Sequence, residues 1–274
     1  WVKTLEPGWQ KERQRNFHSW TFEGMALGQP DYVCDFWTEL GRNTAARVLA
    51  LPDPASMTPE QFMGMREEED YKLMERLRRR VGALVDDPDT AESLMPYYRF
   101  LCKRPCSNDD YLQTFNRPNV TLVDVSDSKG VERITPKGIV AGGVEYEVDC
   151  IIFASGFEIT TEVSRRYSID AVRGRDGVSL YDAWATGAKT LHGLTSRGFP
   201  NQFYTGFTQV GISANISANY ELQGEHIAYI VAQALERGLT VVEPTQAAQD
   251  GWCQTIKDNY IDNSAFDAEC TPGY

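Results

Sequence analysis

Three segments of the chain combine residue types that could do chemistry. The first is Leu101-Cys102-Lys103-Arg104-Pro105, in which two adjacent cations stand where an apolar stretch turns polar. Exposed Lys-Arg pairs without a function are far commoner than functional ones, so this pair alone leaves both interpretations open.

The second segment is Asp149-Cys150-Ile151-Ile152-Phe153-Ala154-Ser155-Gly156-Phe157. Its continuous apolar run predicts a strand that is buried on both faces, and the strand ends in small residues and a glycine. Small residues at the carboxyl end of a strand let a ligand approach the backbone, and cofactors bind at such ends in α/β sheets. A tight turn that merely leaves a sheet is the alternative.

The third segment runs from Arg197-Gly198-Phe199-Pro200-Asn201 through Gly206 to Gly211-Ile212-Ser213-Ala214-Asn215, and a predicted helix follows it. A glycine-containing loop that leads into a helix N-terminus presents free N–H groups to an anion or a polarised carbonyl oxygen. An ordinary strand-loop-helix connection explains the pattern equally well. His192 and His226 could act as general bases, but we favour a structural role for both.

The periodicity of apolar residues predicts the helices that position these segments. Helices are expected over 32–49, from Thr58 to about residue 85, over 90–95 and over 217–237. Thr58-Pro59-Glu60-Gln61 forms a capping box, and Gly238 suits the position after the last long helix. The arginines of the second helix are best explained as a solvated face, with an anion site as the alternative; they are Arg76, Arg78, Arg79 and Arg80.

Strand patterns begin only after residue 100. Strands are predicted at 120–125, at 150–154 and at Phe203-Tyr204, and a hairpin of 134–140 and 144–148 turns at Ala141-Gly142-Gly143. Residues 1–100 are therefore predicted to be helical, and 101–274 to mix helices with strands.

Composition excludes several classes of protein. The 274 residues carry 27 basic and 39 acidic side chains, a net charge of −12, which disfavours a nucleic-acid partner. No apolar run approaches the roughly 20 residues that span a bilayer. The six cysteines and three histidines lack the close pairs of a zinc site, so we expect no metal and reduced thiols in a cytoplasmic protein. The ends, at Trp1 and Tyr274, are interpreted as cuts through a longer protein.

In their order and spacing, the motifs resemble the Baeyer–Villiger monooxygenases, a family of flavoproteins with two dinucleotide-binding domains. The resemblance is carried by Cys102-Lys103-Arg104-Pro105, Phe115-Asn116-Arg117-Pro118-Asn119-Val120, Ile134-Thr135-Pro136-Lys137-Gly138-Ile139, Ala154-Ser155-Gly156-Phe157 and Gly198-Phe199-Pro200-Asn201. It implies an α/β chain that is part of a two-domain Rossmann-like FAD/NAD(P)-binding fold with a helical N-terminal segment. Residues 1–99 would be the helical part of the NADPH-binding domain. Residues 100–274 would hold the end of that domain and the C-terminal part of the FAD-binding domain.

The resemblance also implies an activity and roles for residues. Such enzymes use NADPH, FAD and O2 to insert oxygen beside the carbonyl of a hydrophobic ketone, cyclic ketones included, which gives an ester or lactone. Arg104 would stabilise the anionic oxidant, and Lys103 would pair with the 2′-phosphate of NADPH. Gly156 and Phe157 would lie along FAD; Gly211, Ile212, Ser213 and Asn215 would lie near its ring; and Phe207 and Ile212 would line the substrate pocket.

The sequence also departs from the family. It contains no G-x-G-x-x-G, although the family uses two, so we expect the remaining N-terminal half of the enzyme to supply the pyrophosphate loops. Ser264-Ala265-Phe266-Asp267 lacks the indole that contacts NADP in relatives. The alternatives are a sister flavin monooxygenase that oxygenates nitrogen or sulfur, and an inactive structural fragment without cofactor. Arg104 favours ketones, because soft nucleophiles react with the neutral hydroperoxide.

Overall fold

The chain forms two compact units that alternate along the sequence. The computed structural model describes residues 4–21, 26–156, 164–165, 169, 171–211, 215–262 and 264–270. Unit 1 comprises Trp1–Met63 and Ile159–Ser264, and unit 2 comprises Gly64–Glu158 and Ala265–Tyr274. The assignment of 1–99 and 100–274 to cofactor-binding domains stays a prediction.

Two helices open unit 1. Helix α1 (Trp9–Thr21) was not predicted, because its residues are mostly polar. Helix α2 (Phe36–Leu49) begins after Asp35, whose carboxylate accepts a hydrogen bond from the N–H of Trp37 at 2.9 Å. This start lies later than the predicted residue 32, because the side chain of Asp31 holds the preceding residues in a turn.

The capping box at Thr58 forms as predicted. The N–H of Thr58 donates to Gln61 Oε1 at 2.9 Å, the N–H of Gln61 donates to Thr58 Oγ1 at 3.3 Å, and helix α3 (Pro59–Leu84) follows. Helix α4 (Pro88–Leu94) confirms the short predicted helix, and the one-turn helix α5 (Tyr111–Thr114) was not predicted. Side chains from these three helices and the loop after α3 form the core of unit 2, which contains Val81, Val85, Ala91 and Leu112.

The sheet of unit 2 has three antiparallel strands in the order β1-β2-β3, namely β1 (Arg133–Thr135), β2 (Gly138–Ala141) and β3 (Val144–Glu147). Gly142 and Gly143 form the predicted tight turn, with φ of +57° and +75°. The prediction of one strand over 134–140 was wrong, because a turn at 136–137 divides it into β1 and β2.

Three other predicted strands do not form among the described residues, namely 120–125, 150–154 and Phe203-Tyr204. A strand needs repeated backbone hydrogen bonds to a neighbouring strand. Among the described residues, Tyr204 makes a single such bond, from its N–H to the carbonyl oxygen of Leu194 at 2.8 Å, and the recorded sheet contains only β1, β2 and β3. The prediction that 150–154 is buried was also wrong here, because Ile152 and Phe153 are 86% and 75% exposed.

The rest of unit 1 is built around the predicted long helix, α7 (Ile216–Glu236), which ends before Gly238 at φ +63°. A short helix α6 (Leu180–Ala183) precedes it and helix α8 (Gln246–Asp258) follows it, and the apolar periodicity predicted neither. Helix α9 (Ser264–Glu269), most of which belongs to unit 2, was not predicted either. Short 3-10 turns occur at Pro54–Ser56 and Arg175–Gly177. The core beside α6 contains Leu180, Trp184, Phe199 and Tyr204.

Candidate functional site

Lys103 and Arg104 directly follow a tight turn in unit 2. The turn is closed by a hydrogen bond from the N–H of Cys102 to the carbonyl oxygen of Arg99, at 3.0 Å. Leu101 has a φ of +67°, which is strained for a residue with a side chain. After the turn Lys103 is half-buried and Arg104 is exposed. The adjacent cations predicted from the sequence are therefore held at the surface of unit 2 by a defined backbone conformation.

The buried carboxylate of Asp70, on α3, holds the start of this turn. Its Oδ1 accepts a hydrogen bond from the N–H of Phe100 at 2.8 Å, and its Oδ2 lies 3.7 Å from Arg99 Nε. Burial raises the pKa of Asp70, against the opposing effects of the Phe100 N–H and of Arg99 and Arg66. Burial also lowers the pKa of Arg66. Through its bond to the Phe100 N–H, Asp70 holds the start of the turn that precedes both cations. Removing a buried, paired charge is strongly destabilising.

Helix α9 packs against the same turn. A disulfide joins Cys102 to Cys270, whose Cα atoms are 5.3 Å apart, so the expectation of reduced thiols was wrong for this pair. The guanidinium of Arg99 lies over the ring of Phe266, 5.5 Å from its centroid, and 3.9 Å from a carboxylate oxygen of Glu269. Phe266, in the 264–267 stretch that has no tryptophan, thus contributes an aromatic contact to the turn.

Gly156 lies in unit 2 at the end of the exposed 150–154 segment. Its φ is +88°, and an added Cβ would meet no atom within 4 Å. The glycine is therefore required by its backbone conformation and not by a close neighbour among the described residues. Phe157, Ile212 and Ser213, which the sequence also predicts to contact FAD, lie outside the described residues.

Two polar side chains of α7 hold the loop that contains Phe207 and Gly211. The buried amide of Gln223 accepts from the N–H of Gly206 at 3.0 Å and donates to its carbonyl oxygen at 2.8 Å. Asn219 Nδ2 donates to the carbonyl oxygen of Gly211, also at 2.8 Å. Both ends of the 206–211 loop are therefore fixed to the first half of the helix.

Two further predicted site residues are Asn215, just before α7, and Phe207, in the 206–211 loop. Asn215 is the N-cap of α7, and its side chain accepts a hydrogen bond from the N–H of Ala218 at 3.4 Å. Phe207 is 48% exposed and thus available to contact an apolar ligand. The structure places Phe207, Gly211 and Asn215 in unit 1, and Lys103, Arg104 and Gly156 in unit 2.

A cavity of about 680 Å³ lies in unit 1 between α1, α7 and the 206–211 loop. Its lining includes Gly211 and Asn219 and is rich in cationic and imidazole groups, namely Lys11, Arg15, His18, His192 and His226. Lys11 is paired with Glu225 at 2.8 Å and with Glu221 at 3.3 Å, and both acidic residues also line the cavity. A cavity of this size is large enough for a small-molecule ligand.

The histidines that the sequence assigned to structure also line this cavity. The rings of His192 and His226 are 5.5 Å apart, and Trp252 meets His192 edge to face at 4.8 Å. Burial, with a smaller effect of His226, lowers the pKa of His192. His192 also has a φ of +56°. Trp252 thus packs against His192, as a structural role requires, and both histidines line the cavity.

The Gly198-Phe199-Pro200-Asn201 motif has a structural role in unit 1. The N–H of Gly198 donates to Glu243 Oε1 at 2.7 Å, and Asn201 exchanges hydrogen bonds with the backbone of Val242 at 2.9 and 2.8 Å. Arg175 and Arg197 approach Glu243 Oε2 at 3.0 and 3.4 Å and lower the pKa of Glu243, together with the Gly198 N–H. The motif therefore anchors the 197–203 segment to residues 240–243.

Four anchoring residues were not found from the sequence, namely Asp70, Gln209, Gln223 and Glu243. Gln209, for example, accepts hydrogen bonds from the N–H and the hydroxyl of Thr190 at 2.8 and 2.6 Å. No spacing rule identifies such residues, because each one hydrogen-bonds a backbone group that is far away in the sequence. The described residues contain no cluster of three or more His, Cys, Asp or Glu side chains able to hold a metal. None of their helices is long and apolar enough to cross a membrane.

Sequence comparison finds relatives over the whole chain, although no family model matches it. Neopentalenolactone D synthase of Streptomyces avermitilis is 46% identical over all of the chain, and a Baeyer–Villiger monooxygenase of Streptomyces coelicolor is 43% identical over 97% of it. The chain spans 45% and 43% of the lengths of these two proteins, so it matches about half of each relative.

Solved structures give the same result. Polycyclic ketone monooxygenase from the fungus Thermothelomyces thermophila matches 98% of the chain at 34% identity, with a TM-score of 0.79 and 43% of its own length covered. OTEMO in complex with FAD and NADP matches 70% of the chain and 36% of its own length, at 34% identity and a TM-score of 0.61. The chain is thus an α/β homologue of part of the Baeyer–Villiger monooxygenases, which confirms the resemblance and the predicted fold class.

Proposed function

We propose that the chain is part of a longer NADPH- and FAD-dependent monooxygenase that inserts one oxygen atom beside the carbonyl of a hydrophobic ketone. The observation that carries the proposal is the Lys103-Arg104 pair directly after a turn that Asp70 holds, within a chain whose whole length is homologous to ketone monooxygenases. The names of the relatives favour ketones over nitrogen or sulfur compounds as substrates.

Arg104 is the proposed catalytic residue. Insertion of oxygen beside a carbonyl requires an anionic oxidant to attack the carbonyl carbon, and a guanidinium stabilises an anion without giving up a proton. Two opposite charges about 4 Å apart interact by roughly 4 kcal/mol at an effective dielectric constant of about 20. An interaction of that size lowers the pKa of the oxidant's protonated form by about three units and so favours the anion. Arg104 is exposed on its unit.

Lys103 is the proposed partner of the NADPH 2′-phosphate. Its ammonium is a compact positive charge with three N–H donors, which suits a phosphate oxygen. The strained turn at Leu101 and the bond from Phe100 to Asp70 restrict the backbone before both cations. Preorganised donors bind an anion with less loss of conformational entropy than mobile ones, so the turn contributes to affinity as well as to position.

The fit of this chain to FAD is partial. Gly156 and Gly211 leave open backbone to which a flat ring or ribityl chain could lie close, since an added Cβ meets nothing within 4 Å at either. The pyrophosphate loops would come from the remaining N-terminal half. Bound FAD and NADPH would supply the redox chemistry with O2, and this chain would supply Lys103, Arg104 and one wall of the pocket.

Unit 1 would contribute to the cofactor and substrate pockets. The 206–211 loop, held by Gln223 and Asn219, presents the half-exposed ring of Phe207 and the backbone of Gly211. We assign Phe207 to the wall of the substrate pocket, and Gly211 and Asn215 to the surroundings of the flavin ring. Ile212, Ser213 and Phe157 keep their proposed roles from the family resemblance.

The test is to replace Arg104 by alanine in the longer protein. We expect ester formation from a cyclic ketone to fall by about 100-fold or more, which is typical for removal of one preorganised donor to an anion. NADPH consumption should continue, because Lys103 is retained. Arg104→Lys should recover part of the ester yield, because it keeps the charge but not the planar guanidinium.

The matched control is Arg80→Ala, on the exposed face of α3, where an arginine is replaced away from the turn. Arg80→Ala should leave the rates of ester formation and of NADPH consumption unchanged. An unchanged ester yield in Arg104→Ala would contradict the role of Arg104. Oxygenation of a thioether or amine without any reaction of ketones would favour the sister class of enzymes.

A further inference from the structure

The turn before Lys103 is held at both of its ends. The hydrogen bond from the Phe100 N–H to Asp70 holds its start. Cys102 stands at its end, and the sulfur of Cys102 is bonded to that of Cys270, with 5.3 Å between the two Cα atoms. Because Cys102 directly precedes Lys103, the disulfide acts on the chain nearer to this cation than the bond to Phe100 does.

The disulfide ties the turn to helix α9 in a buried position. Cys270 directly follows α9 and extends its hydrogen bonding, because its N–H donates to the carbonyl oxygen of Phe266 at 3.1 Å. Cys102 and Cys270 are 6% and 7% exposed, and both belong to unit 2. The two cysteines are 168 residues apart in the sequence, so the bond joins segments that the chain itself does not keep together.

The noncovalent contacts described between α9 and the turn are weaker. The guanidinium of Arg99 lies 3.9 Å from a carboxylate oxygen of Glu269, whose side chain is 63% exposed, and 5.5 Å from the ring centroid of Phe266. An exposed ion pair contributes little to stability, and a helix of six residues is marginal by itself. Among the described contacts, the covalent bond is thus the one that holds α9 firmly against the turn.

We infer that the Cys102–Cys270 disulfide positions Lys103 for the 2′-phosphate of NADPH and so strengthens the preference of the enzyme for NADPH over NADH. The inference rests on the proposed function, which assigns the 2′-phosphate to Lys103. A lysine ammonium stands on a flexible stem, so an anchored backbone leaves less conformational freedom to be lost when the phosphate binds. NADH lacks this phosphate, and its binding does not depend on the position of Lys103.

The bond also makes this preference depend on thiol redox state. A dithiol that reduces the bond breaks it between the two sulfur atoms, supplies two electrons and two protons to them, and is itself oxidised to a disulfide. Cys102 and Cys270 are then thiols, and the turn is no longer linked covalently to α9. A small-molecule disulfide reverses the step by accepting the same electrons and protons.

The first experiment measures kcat/KM of the longer protein for NADPH and for NADH, before and after reduction by a dithiol. Peptide mapping of the unreduced protein should show the peptides of Cys102 and Cys270 joined. Reduction should lower the ratio of the two kcat/KM values by about fivefold, through a higher KM for NADPH. The constants for NADH should stay the same, whereas a general loss of structure would affect both cofactors. Separate peptides or an unchanged ratio would overturn the inference.

Serine substitutions give the same comparison without a reductant. Cys102→Ser and Cys270→Ser should each lower the ratio by about fivefold, and dithiol should then cause no further change. The matched control is Cys106→Ser, at an exposed free cysteine whose thiol donates to the carbonyl oxygen of Arg104 at 3.6 Å, as a serine hydroxyl also can. It should keep both the ratio and the response to dithiol. If a variant yields no folded protein, reduction of the wild type decides the question.

Lys103→Ala separates failure of the inference from failure of the proposed function. We expect it to lower the ratio, and reduction should then have no further effect, because both changes act through the same side chain. A lowered ratio in Lys103→Ala, with no effect of reduction on the wild type, would overturn the inference and leave the proposed role of Lys103 standing. An unchanged ratio in Lys103→Ala would overturn both. A further fivefold loss on reduction of Lys103→Ala would show that the disulfide acts through another residue.

Discussion

The carboxylate of Asp70 binds the N–H of Phe100 at 2.8 Å, which couples helix α3 to the turn that presents Lys103 and Arg104. The two residues are 30 positions apart, and the bond is buried. The bond restricts the backbone just before Lys103 and Arg104. Asp70, which is not itself proposed to bind a ligand, thus helps to position the two residues that are.

Replacing Asp70 by alanine should therefore destabilise the protein strongly. We expect a loss of about 3–5 kcal/mol in the free energy of unfolding, because the change leaves the Phe100 N–H unpaired and Arg66 and Arg99 without their buried counter-charge. Asp70→Asn should lose less, since an amide oxygen can still accept from Phe100. Urea unfolding measures both variants, and the exposed Asp109→Ala is the control. A loss no larger than that of the control would show that Asp70 does not hold the turn.

Glu243 should stabilise the protein in a pH-dependent manner. Its pKa is lowered by Arg175, by the Gly198 N–H and by Arg197, so its contribution is fully present above its ordinary pKa of about 4.5. The contribution is lost as the pH falls through the lowered pKa. Glu243→Gln should thus lower stability by about 2 kcal/mol at pH 7 and by little in strong acid. Chemical unfolding over a series of pH values checks this.

Glu147→Gln is the matched control for Glu243. Glu147 pairs with Lys137 at 3.5 Å on the exposed hairpin, so its replacement should change stability by less than about 0.5 kcal/mol at any pH. Equal losses in the two variants would contradict the special role of Glu243. A loss from Glu243→Gln that does not depend on pH would point to packing in place of charge.

His192 should make the protein less stable in mild acid. Its pKa is lowered by burial and by His226, so the unfolded chain takes up a proton more readily than the folded one. Stability is then lost as the pH falls below about 6.5, the ordinary pKa of histidine, toward the lowered value. In His192→Asn the Tm should fall less between pH 7 and 5, and asparagine tolerates the φ of +56°. The same slope in both proteins would contradict this, and His18→Asn is the control.

The isolated 274-residue chain should not retain stoichiometric FAD after purification. It contains no G-x-G-x-x-G loop to bind a pyrophosphate, and the glycines assigned to FAD contact are exposed. Flavin absorbance per mole of chain measures the retained cofactor. A value near one equivalent would show that this chain alone holds FAD.

The order of short motifs determined much about this protein. Lys103-Arg104 and the Gly-Phe-Pro-Asn motif identified the family, because such residues are read directly from the chain and do not depend on neighbours. The capping box at Thr58 and the period of α7 fixed two helices, because capping and amphipathic burial are local effects.

Only the tertiary structure decided which residues hold the candidate site together. Asp70, Gln223 and Glu243 each act on a backbone segment that is 17 to 45 residues away, and no local pattern encodes such a partner. The same reason explains the wrong prediction at Ile152. An apolar run specifies that a strand could form, but the strand exists only where neighbouring strands supply its hydrogen bonds and cover its faces.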